Sequence, residues 1–384
     1  MHSTNKTADV VIIGGGIMGC SLAYYLAKQS KKNILLLEKN LLAQGSTGLS
    51  VGGIRQQFSH PANILLSQMT LHVMKTFKDE FETDVCFHPS GYLFLAQTEE
   101  TWREFLSNIE TQKKHGVPVE QMTPGEINTN WPYLETRDLE GGTFCHQDGY
   151  TDPYLITMAF AKNARRLGVQ ISEKTTVQRI LVEAQRARGV VCENLNVSSP
   201  VVVNTSGPWA AQVGKMAGLD LPVKPYRRQV FMTKKFQQVP KPVPMIIDMD
   251  DSFYFRGDPP GILMGMSDLE EKSSFNTHVD RDFLEKIVAI ATHRIPIFQE
   301  AEILRGWAGL YATTPDQNPI IGQAPEIEGF YNAVGFSGHG FQHGPAVGQI
   351  LAELIEKGQT DFDLSPFTSS RFSSFQKQGE KRAV

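Results

Sequence analysis

The chain has 384 residues, of which 41% are hydrophobic and 20% charged, a composition typical of a globular protein long enough for two cores or one interleaved unit. Its 37 basic and 41 acidic residues give a formal net charge of -4, and no basic run could follow a phosphate backbone, which argues against nucleic acid as a partner. Four scattered cysteines, Cys20, Cys86, Cys145 and Cys192, argue against a metal site or a disulfide framework and favour a reducing, cytoplasmic location.

The first apolar stretch, residues 10–27 (VVIIGGGIMGCSLAYYLA), could be taken for a signal peptide or a membrane anchor. Three consecutive glycines interrupt it and little positive charge precedes it, so we predict a strand, a turn and a helix and no transmembrane segment. After the strand, Gly14, Gly16 and Gly19 have G-x-G-x-x-G spacing. Such glycines make the turn, admit a pyrophosphate to the backbone and pack the helix on the strand, and the helix N-terminus favours negative charge.

The second predicted strand, NILLLEK at 33–39, ends in Glu38, which lies 19 residues beyond Gly19 (38 − 19). An acidic residue at this point can bind a ribose 2′-hydroxyl and disfavours a 2′-phosphate. The sequence therefore predicts an adenine dinucleotide of the NAD or FAD kind. The alternative is a Rossmann unit that binds no nucleotide.

Two further small-residue segments separate FAD from NAD. They are GSTGLSVGGIRQQFS at 45–59 and VVVNTSGPWA at 201–210, where a strand ends at Thr205, Ser206 and Gly207. A nicotinamide enzyme has no obvious use for them, whereas an extended flavin needs a second channel of small residues. A third segment, GFSGHGFQHGP at 335–345, has four glycines in eleven positions and precedes a helix that we predict to begin near Pro345. An ordinary surface turn is the alternative for this segment.

Five motifs occur in an order that resembles the FAD-dependent amine oxidoreductases similar to D-amino acid oxidase, glycine oxidase and sarcosine oxidase, and the likeness covers nearly the whole chain. They are VVIIGGGIMG, GSTGLSVGGIRQQ, NTSGPWA, TPDQNPIIG and GFSGHGFQHGPAVG. Within that family, SVGGIRQQFS and FHPSGYLFLA resemble the β subunits of sarcosine oxidase and L-proline dehydrogenase. The same phrases also resemble the mitochondrial FAD-dependent oxidoreductase linked to respiratory complex I assembly.

The resemblance implies a mixed α/β fold in which a Rossmann-like FAD-binding domain carries an inserted domain with an antiparallel sheet. We assign residues 8–84, 148–217 and 310–365 to the FAD-binding domain, 85–147 and 218–309 to the substrate domain, and 366–384 to a polar tail. GYLFLA, SFYFRG and GILMGMS are predicted strands of the inserted sheet, one face of which would roof the flavin.

The resemblance also implies which residues hold FAD. The backbone around 338–342 would pass beneath the flavin, where N–H groups and a helix dipole stabilise negative charge on the reduced ring. The predicted FAD contacts are Gly14, Gly15, Gly16, Ile17, Met18, Glu38, Lys39, Gly45, Ser46, Thr47, Ser50, Val51, Gly52, Gly53, Val177, Thr205, Ser206, Gly207, Trp209, Gly309, Gly338, His339, Gly340, Phe341 and Gln342.

For the substrate side, the resemblance implies hydride transfer from the carbon next to an unprotonated nitrogen to flavin N5. Arg55 matches the arginine that holds the substrate carboxylate in sarcosine oxidases, and Tyr254 and Arg256 lie on a strand expected to face the ring. We also count Gln342 among the catalytic residues. A structural ion pair is the alternative for either arginine. Of the nearby histidines, we assign His60 and His343 to packing or supporting roles, and His339 to a backbone contact with the flavin.

Three departures from the family pattern refine the expectation. Covalent members use a cysteine at the position of Gly309 or a histidine in the GST segment, and this chain has neither, so FAD should be non-covalent. Residues 261–267 lack the lysine of efficient oxidases, which favours a dehydrogenase. Gln342 replaces a lysine that binds carboxylate in sarcosine oxidase, which argues against sarcosine itself.

The expected function is therefore the oxidation of a secondary or N-substituted amino acid, sarcosine-like or proline-like. The expected partners are this small substrate and an electron acceptor, such as a quinone, a dye-like carrier or a partner subunit in a hetero-oligomer. Two alternatives stay open: an oxidase of glycine or another amine that produces hydrogen peroxide, and a non-catalytic assembly or subunit protein stabilised by FAD.

Overall fold

The computed structural model describes residues 4–240 and 242–374. Its strands are β1 (Thr4–Thr7), β2 (Val10–Ile13), β3 (Ile34–Leu37), β4 (Gly53–Ile54), β5 (Tyr92–Ala96), β6 (Val119–Met122), β7 (Gly141–Cys145), β8 (Gly149–Tyr150), β9 (Gln170–Ser172), β10 (Val177–Glu183), β11 (Arg186–Cys192), β12 (Leu195–Ser198), β13 (Val201–Asn204), β14 (Lys224–Thr233), β15 (Met245–Asp248), β16 (Phe253–Asp258), β17 (Gly261–Met266), β18 (Ile303–Thr313), β19 (Ile320–Gln323) and β20 (Phe330–Val334). Its α-helices are α1 (Ile17–Gln29), α2 (Pro61–Phe81), α3 (Glu99–Lys114), α4 (Pro124–Asn130), α5 (Pro153–Arg166), α6 (Ala210–Met216), α7 (Arg281–Arg294) and α8 (Gly340–Lys357).

A six-stranded sheet, in the order β19-β20-β13-β2-β3-β9, forms the centre of the first half of the molecule. Its strands are parallel except β19, and every residue of β2 and β3 is buried, as expected for short apolar strands covered on both faces. Helices α1, α2, α5 and α8 cover one face. The other face packs against α6 and the sheet β1-β12-β11-β10. The predicted Rossmann-like architecture is confirmed.

Helices α1 and α8 approach each other closely because α8 presents glycines to α1. A Cβ on Gly344 would lie 2.6 Å from Cγ1 of Ile17, and one on Gly348 would lie 2.4 Å from Oγ of Ser21. Ser21 donates a hydrogen bond to the Gly344 carbonyl at 2.8 Å. Helices α1 and α8, which lie far apart in sequence, are therefore in direct contact.

An eight-stranded sheet, in the order β18-β14-β17-β16-β15-β5-β7-β6, forms the second half. The predicted strands GYLFLA, SFYFRG and GILMGMS become β5, β16 and β17. We predicted an antiparallel sheet, but β15 pairs with β5 in parallel, so the sheet is mixed. One face packs on α4 and α7, and the other carries Tyr92, Phe94 and Tyr254. The boundaries that we gave to the two domains remain a prediction.

The prediction that the last long helix begins near Pro345 is wrong. Helix α8 begins at Gly340, and Pro345 lies inside it and is buried. Proline has no N–H to donate one turn back, so this helix lacks one backbone hydrogen bond near its start. The N-terminus of α8 therefore lies five residues earlier than expected (345 − 340), directly after the Ser337–His339 turn.

The first part of the predicted tail is ordered. Two 3-10 helices, Ser365–Phe367 and Ser369–Ser374, follow α8; Phe367 is buried and Arg371 forms an ion pair with Asp316 at 2.7 Å. Residues 375–384 of that tail lie outside the described residues. Within 4–240 and 242–374, no helix has both the length and the apolar character needed to cross a membrane.

Candidate functional site

A long cavity runs between the six-stranded and the eight-stranded sheets. It starts at the carboxyl ends of β2, β3 and β13 and continues under the eight-stranded sheet. Of the predicted FAD contacts, all but Gly52 line this cavity. Gly52 has φ +77°, and a Cβ there would lie 2.0 Å from the Thr151 carbonyl oxygen. Gly52 is therefore needed to turn the chain beside Thr151, and its contact with FAD stays a prediction.

The glycines of the first turn have separate structural roles. Gly14 has φ +115° and lies against the Thr205 carbonyl, and a Cβ on Gly19 would lie 1.9 Å from the Gly14 oxygen. A Cβ on Gly16 would instead point at Oγ1 of Thr47, 3.0 Å away, on the cavity side. Gly16 also begins α1 without any side-chain cap. The first turn of α1 thus offers its backbone and its dipole to an anion, with room for close approach.

Glu38 and Lys39 define the far end of the cavity. The Glu38 carboxylate accepts the N–H of Gly15 and the N–H of Asn40, both at 2.7 Å, which fixes it at the end of β3. The Lys39 ammonium lies 3.0 Å from the centroid of the Trp209 ring, and burial lowers the pKa of this lysine. A fixed carboxylate beside the glycine turn suits ribose hydroxyls.

The segment 335–342 lies in the interior, so the alternative of an ordinary surface turn is wrong. Gly335, Phe336, Ser337 and His339 are buried in the protein, and the segment lines the cavity. Both ring nitrogens of His339 are buried without a hydrogen-bond partner in the structure. Burial lowers the pKa of His339 well below its ordinary value, so its imidazole is neutral. Unpartnered polar atoms in a cavity lining fit a site that takes a large polar ligand.

Three tyrosines form much of the roof, and each requires a glycine opposite it. A Cβ on Gly53 would lie 1.7 Å from the Tyr92 hydroxyl, and a Cβ on Gly265 would lie 2.4 Å from the Tyr254 hydroxyl. A Cβ on Gly338 would lie 2.6 Å from the Tyr311 ring. Burial raises the pKa of all three phenols, so they stay protonated and can donate hydrogen bonds. The predicted residue Tyr254 therefore belongs to a larger group that the sequence did not reveal.

Arg55 and Gln342, distant in sequence, meet in the cavity wall. The Gln342 side-chain oxygen accepts the backbone N–H of Arg55 at 2.7 Å. The Arg55 guanidinium stacks on Phe58, 4.1 Å from the ring centroid, and donates to the Gln57 carbonyl at 2.8 Å. Arg55 is only 8% exposed and lines the cavity. Gln342 therefore holds the loop that carries Arg55.

Asp148 supports the same loop, and sequence reasoning missed it. It is fully buried, and its carboxylate accepts the backbone and side-chain N–H groups of Gln56, both at 3.1 Å, and the Gln57 amide at 3.5 Å. Burial raises the pKa of Asp148 to about 6. In the sequence it sits in an ordinary-looking DGY turn, so no local signal marks it.

Arg256, which we predicted to be catalytic, lies outside the lining of the cavity, and a catalytic role for it stays a prediction. Its guanidinium pairs with Asp258 at 2.7 Å, donates to the Val51 carbonyl at 3.0 Å and lies 4.2 Å from the Tyr150 ring centroid, and it does not line the cavity. The structural ion pair is the role that the structure supports. Arg228 of β14, which we did not predict, does line the cavity.

The two histidines that we assigned to supporting roles lie away from the cavity lining. His60 caps the N-terminus of α2, where its Nδ1 accepts the Ala62 N–H at 3.2 Å. His343 is fully buried with Nε2 at 3.1 Å from the Ser67 hydroxyl, and burial lowers its pKa to about 3. Neither side chain could accept a substrate proton from these positions.

The fold and the cavity define a dinucleotide-binding flavoprotein, and comparisons with known proteins agree. The family of FAD dependent oxidoreductases known as DAO matches residues 9–354. FAD-dependent oxidoreductase domain-containing protein 1 of Xenopus laevis is 32% identical over 427 aligned positions, covering 99% of this chain and 85% of that protein. The crystal structure of L-proline dehydrogenase from P. horikoshii has 34% identity and a TM-score of 0.90, covering 97% of this chain and 99% of that one.

Human mitochondrial sarcosine dehydrogenase is 28% identical over 96% of this chain, which spans 42% of that longer protein. The chain belongs to the DAO family, and it is an FAD-dependent oxidoreductase. Gly309 lines the cavity, and no cysteine is among the described residues that line it.

Proposed function

We propose that this protein is a dehydrogenase that oxidises the C–N bond of a secondary or N-substituted amino acid. The observation that carries the proposal is Arg55, a residue that is 8% exposed and lines the cavity on a loop held by Gln342 and Asp148. A buried arginine of this kind binds a carboxylate through two parallel hydrogen bonds. The relatives named sarcosine dehydrogenase and L-proline dehydrogenase support the same class of substrate.

FAD, when bound, supplies an acceptor for a hydride from the carbon next to the nitrogen. The chain supplies the position and the environment of the substrate. Arg55 fixes the carboxylate, the protonated phenols of Tyr92, Tyr254 and Tyr311 exclude water and donate hydrogen bonds, and the neutral imidazole of His339 can accept one.

Within this proposal, the electrons pass to a quinone, a carrier protein or a partner subunit, and the protein acts in the cytoplasm. One observation favours the oxidase alternative. Residues 261–267 contain no lysine, yet Arg228 brings a fixed positive charge into the cavity from the neighbouring strand β14. A cation near the flavin stabilises the charge that develops when oxygen is reduced.

The experiment is anaerobic mixing of the purified yellow protein with a panel of amino acids, followed by loss of the flavin absorption. Secondary and N-methyl amino acids should bleach the flavin, and the corresponding primary amines should do so more slowly. Bleaching by none of them, in a protein that holds FAD, would contradict the proposal and leave the non-catalytic alternative. Rapid hydrogen peroxide formation in air would assign the protein to the oxidases.

A further inference from the structure

The charged residues that line the cavity fall into two groups. Glu38 and Lys39 lie together at the glycine-turn end, and Arg55 and Arg228 lie at the roof. Among the described lining residues, no aspartate or glutamate faces the two arginines. The roof therefore carries two positive charges, and a simple amino acid has only one carboxylate to offer them.

Arg228 reaches the cavity because of its place on β14. It pairs with Gly309 of β18 in the sheet, and side chains alternate along a strand, so Arg228 and Val230 face the cavity while Arg227 faces away. Arg227 is satisfied outside the cavity by an ion pair with Glu271 at 2.8 Å. The two neighbouring arginines thus have opposite surroundings.

The hydrogen-bonding capacity of Arg228 is largely unused. Its Nη1 donates to the Arg227 carbonyl at 2.9 Å, and its Nε is buried without a partner. Within the described part of the chain, Arg228 forms no ion pair, in contrast to Arg256 and Arg294, which each pair with aspartate. An arginine in a partly desolvated cavity is stabilised when a ligand supplies the missing negative charge.

Tyr311 shows that the two arginines act on the same space. The Arg228 guanidinium lies 5.2 Å from the Tyr311 ring centroid. The positive charges of Arg228 and Arg55 both oppose the rise in the pKa of Tyr311 that burial causes. Arg55, Arg228 and Tyr311 also line the same cavity, so a ligand that lies beside Tyr311 has both positive charges in its surroundings.

We propose that the substrate carries two carboxylates, one bound by Arg55 and the other by Arg228. The substrate would be a secondary or N-substituted amino acid whose second carboxylate lies either on the nitrogen substituent or on the side chain. This inference rests on the proposed function and makes it specific, because it assigns the substrate class of the same site. Arg228 becomes the residue that selects dicarboxylates over monocarboxylates.

The test uses two ligands that cannot be oxidised, butyrate and glutarate, which differ by one carboxylate. Their dissociation constants from the FAD-loaded protein are measured through the shift in flavin absorption. The variants are Arg228→Gln and, as a matched control, Arg305→Gln, which removes the same charge from an exposed position on the neighbouring strand β18. FAD content is measured in each.

Glutarate should bind wild type more tightly than butyrate. Arg228→Gln should weaken the binding of glutarate by about 10- to 100-fold, the usual effect of losing one charge-assisted hydrogen-bonded pair. The dissociation constant of butyrate should stay within about twofold of its wild-type value. Arg305→Gln should change neither ligand. The inference would be overturned if Arg228→Gln lost the same factor of affinity for both ligands, or if wild type bound glutarate no more tightly than butyrate.

The source of the second carboxylate is decided by anaerobic bleaching with sarcosine, iminodiacetate and N-methylaspartate. Faster bleaching by iminodiacetate supports a carboxylate on the nitrogen substituent, and faster bleaching by N-methylaspartate supports one on the side chain. Bleaching by sarcosine alone overturns the inference while the proposed function stands. If no amine bleaches the flavin but Arg228→Gln still loses glutarate selectively, the dicarboxylate site is supported and the proposed function fails.

Discussion

Replacing Asp148 by asparagine should change how the stability of the protein depends on pH. Burial raises the pKa of Asp148 from 3.8 to about 6, so the folded protein holds this proton more tightly than the unfolded chain. The contribution of Asp148 to the free energy of unfolding is therefore fully present below pH 4 and is lost as the pH rises through 6. Since a tenfold change in proton affinity is worth about 1.4 kcal/mol, the loss amounts to at most about 3 kcal/mol.

Asparagine has no such proton, so the stability of the variant should rise relative to that of wild type between pH 4 and pH 7. The free energy of unfolding of Asp148→Asn, minus that of wild type, should rise by up to about 3 kcal/mol over this range. Urea unfolding followed by circular dichroism, at equal free FAD and several pH values, measures the difference. Asp220→Asn, at an exposed carboxylate, is the control and should give a flat difference. A flat difference for Asp148→Asn as well would refute the reasoning.

Four further outcomes are expected. Gly16→Ala places a Cβ on the cavity side, 3.0 Å from Thr47 Oγ1, so the protein should lose FAD absorbance at 450 nm. With FAD removed from both proteins, the urea midpoints of the variant and of wild type should be equal, and normal FAD content in the variant would contradict the prediction. Arg55→Ala should weaken the binding of a carboxylate inhibitor about 10- to 150-fold, and Arg55→Lys should weaken it less. Titration followed by flavin absorption measures both affinities. Unchanged affinity in an FAD-loaded Arg55→Ala protein would remove Arg55 from the site. Acid precipitation should leave free FAD in the supernatant, and a yellow pellet would show a covalent bond. In stopped-flow mixing, the substrate-reduced enzyme should react slowly with oxygen and quickly with a quinone or dye, and oxidase-like rates with oxygen would count against a dehydrogenase.

The nucleotide end of the site could be predicted from sequence because its parts are local. Val10–Ile13, the glycine turn and α1 are consecutive, and the Glu38 strand follows directly, so spacing alone indicates how they meet. The strands of the second sheet could also be recognised, from their apolar and aromatic residues. Their pairing could not, because the parallel contact of β15 with β5 joins segments about 150 residues apart.

The substrate end could be predicted only in part because it depends on which way side chains point. Arg227 and Arg228 are adjacent in sequence, and only the register of β14 with β18 decides that Arg228 enters the cavity. Arg256 lies on a strand that we expected to face the site, yet its guanidinium forms an ion pair with Asp258, two positions further along the chain. Asp148 reaches the Arg55 loop across 92 residues of sequence, through hydrogen bonds that no local motif announces.

The close packing of α1 on α8 has a consequence for synthesis on the ribosome. The helix that follows the glycine turn buries its apolar face against residues 340–357, and Gly344 is translated 323 residues after its hydrogen-bond partner Ser21. Until α8 emerges from the exit tunnel, Ile17 and its neighbours on α1 have no partner helix, and the nascent chain exposes a surface on which chaperones act. The cavity wall formed by 335–342 is missing for the same period, so the complete cavity forms only after these residues have been translated.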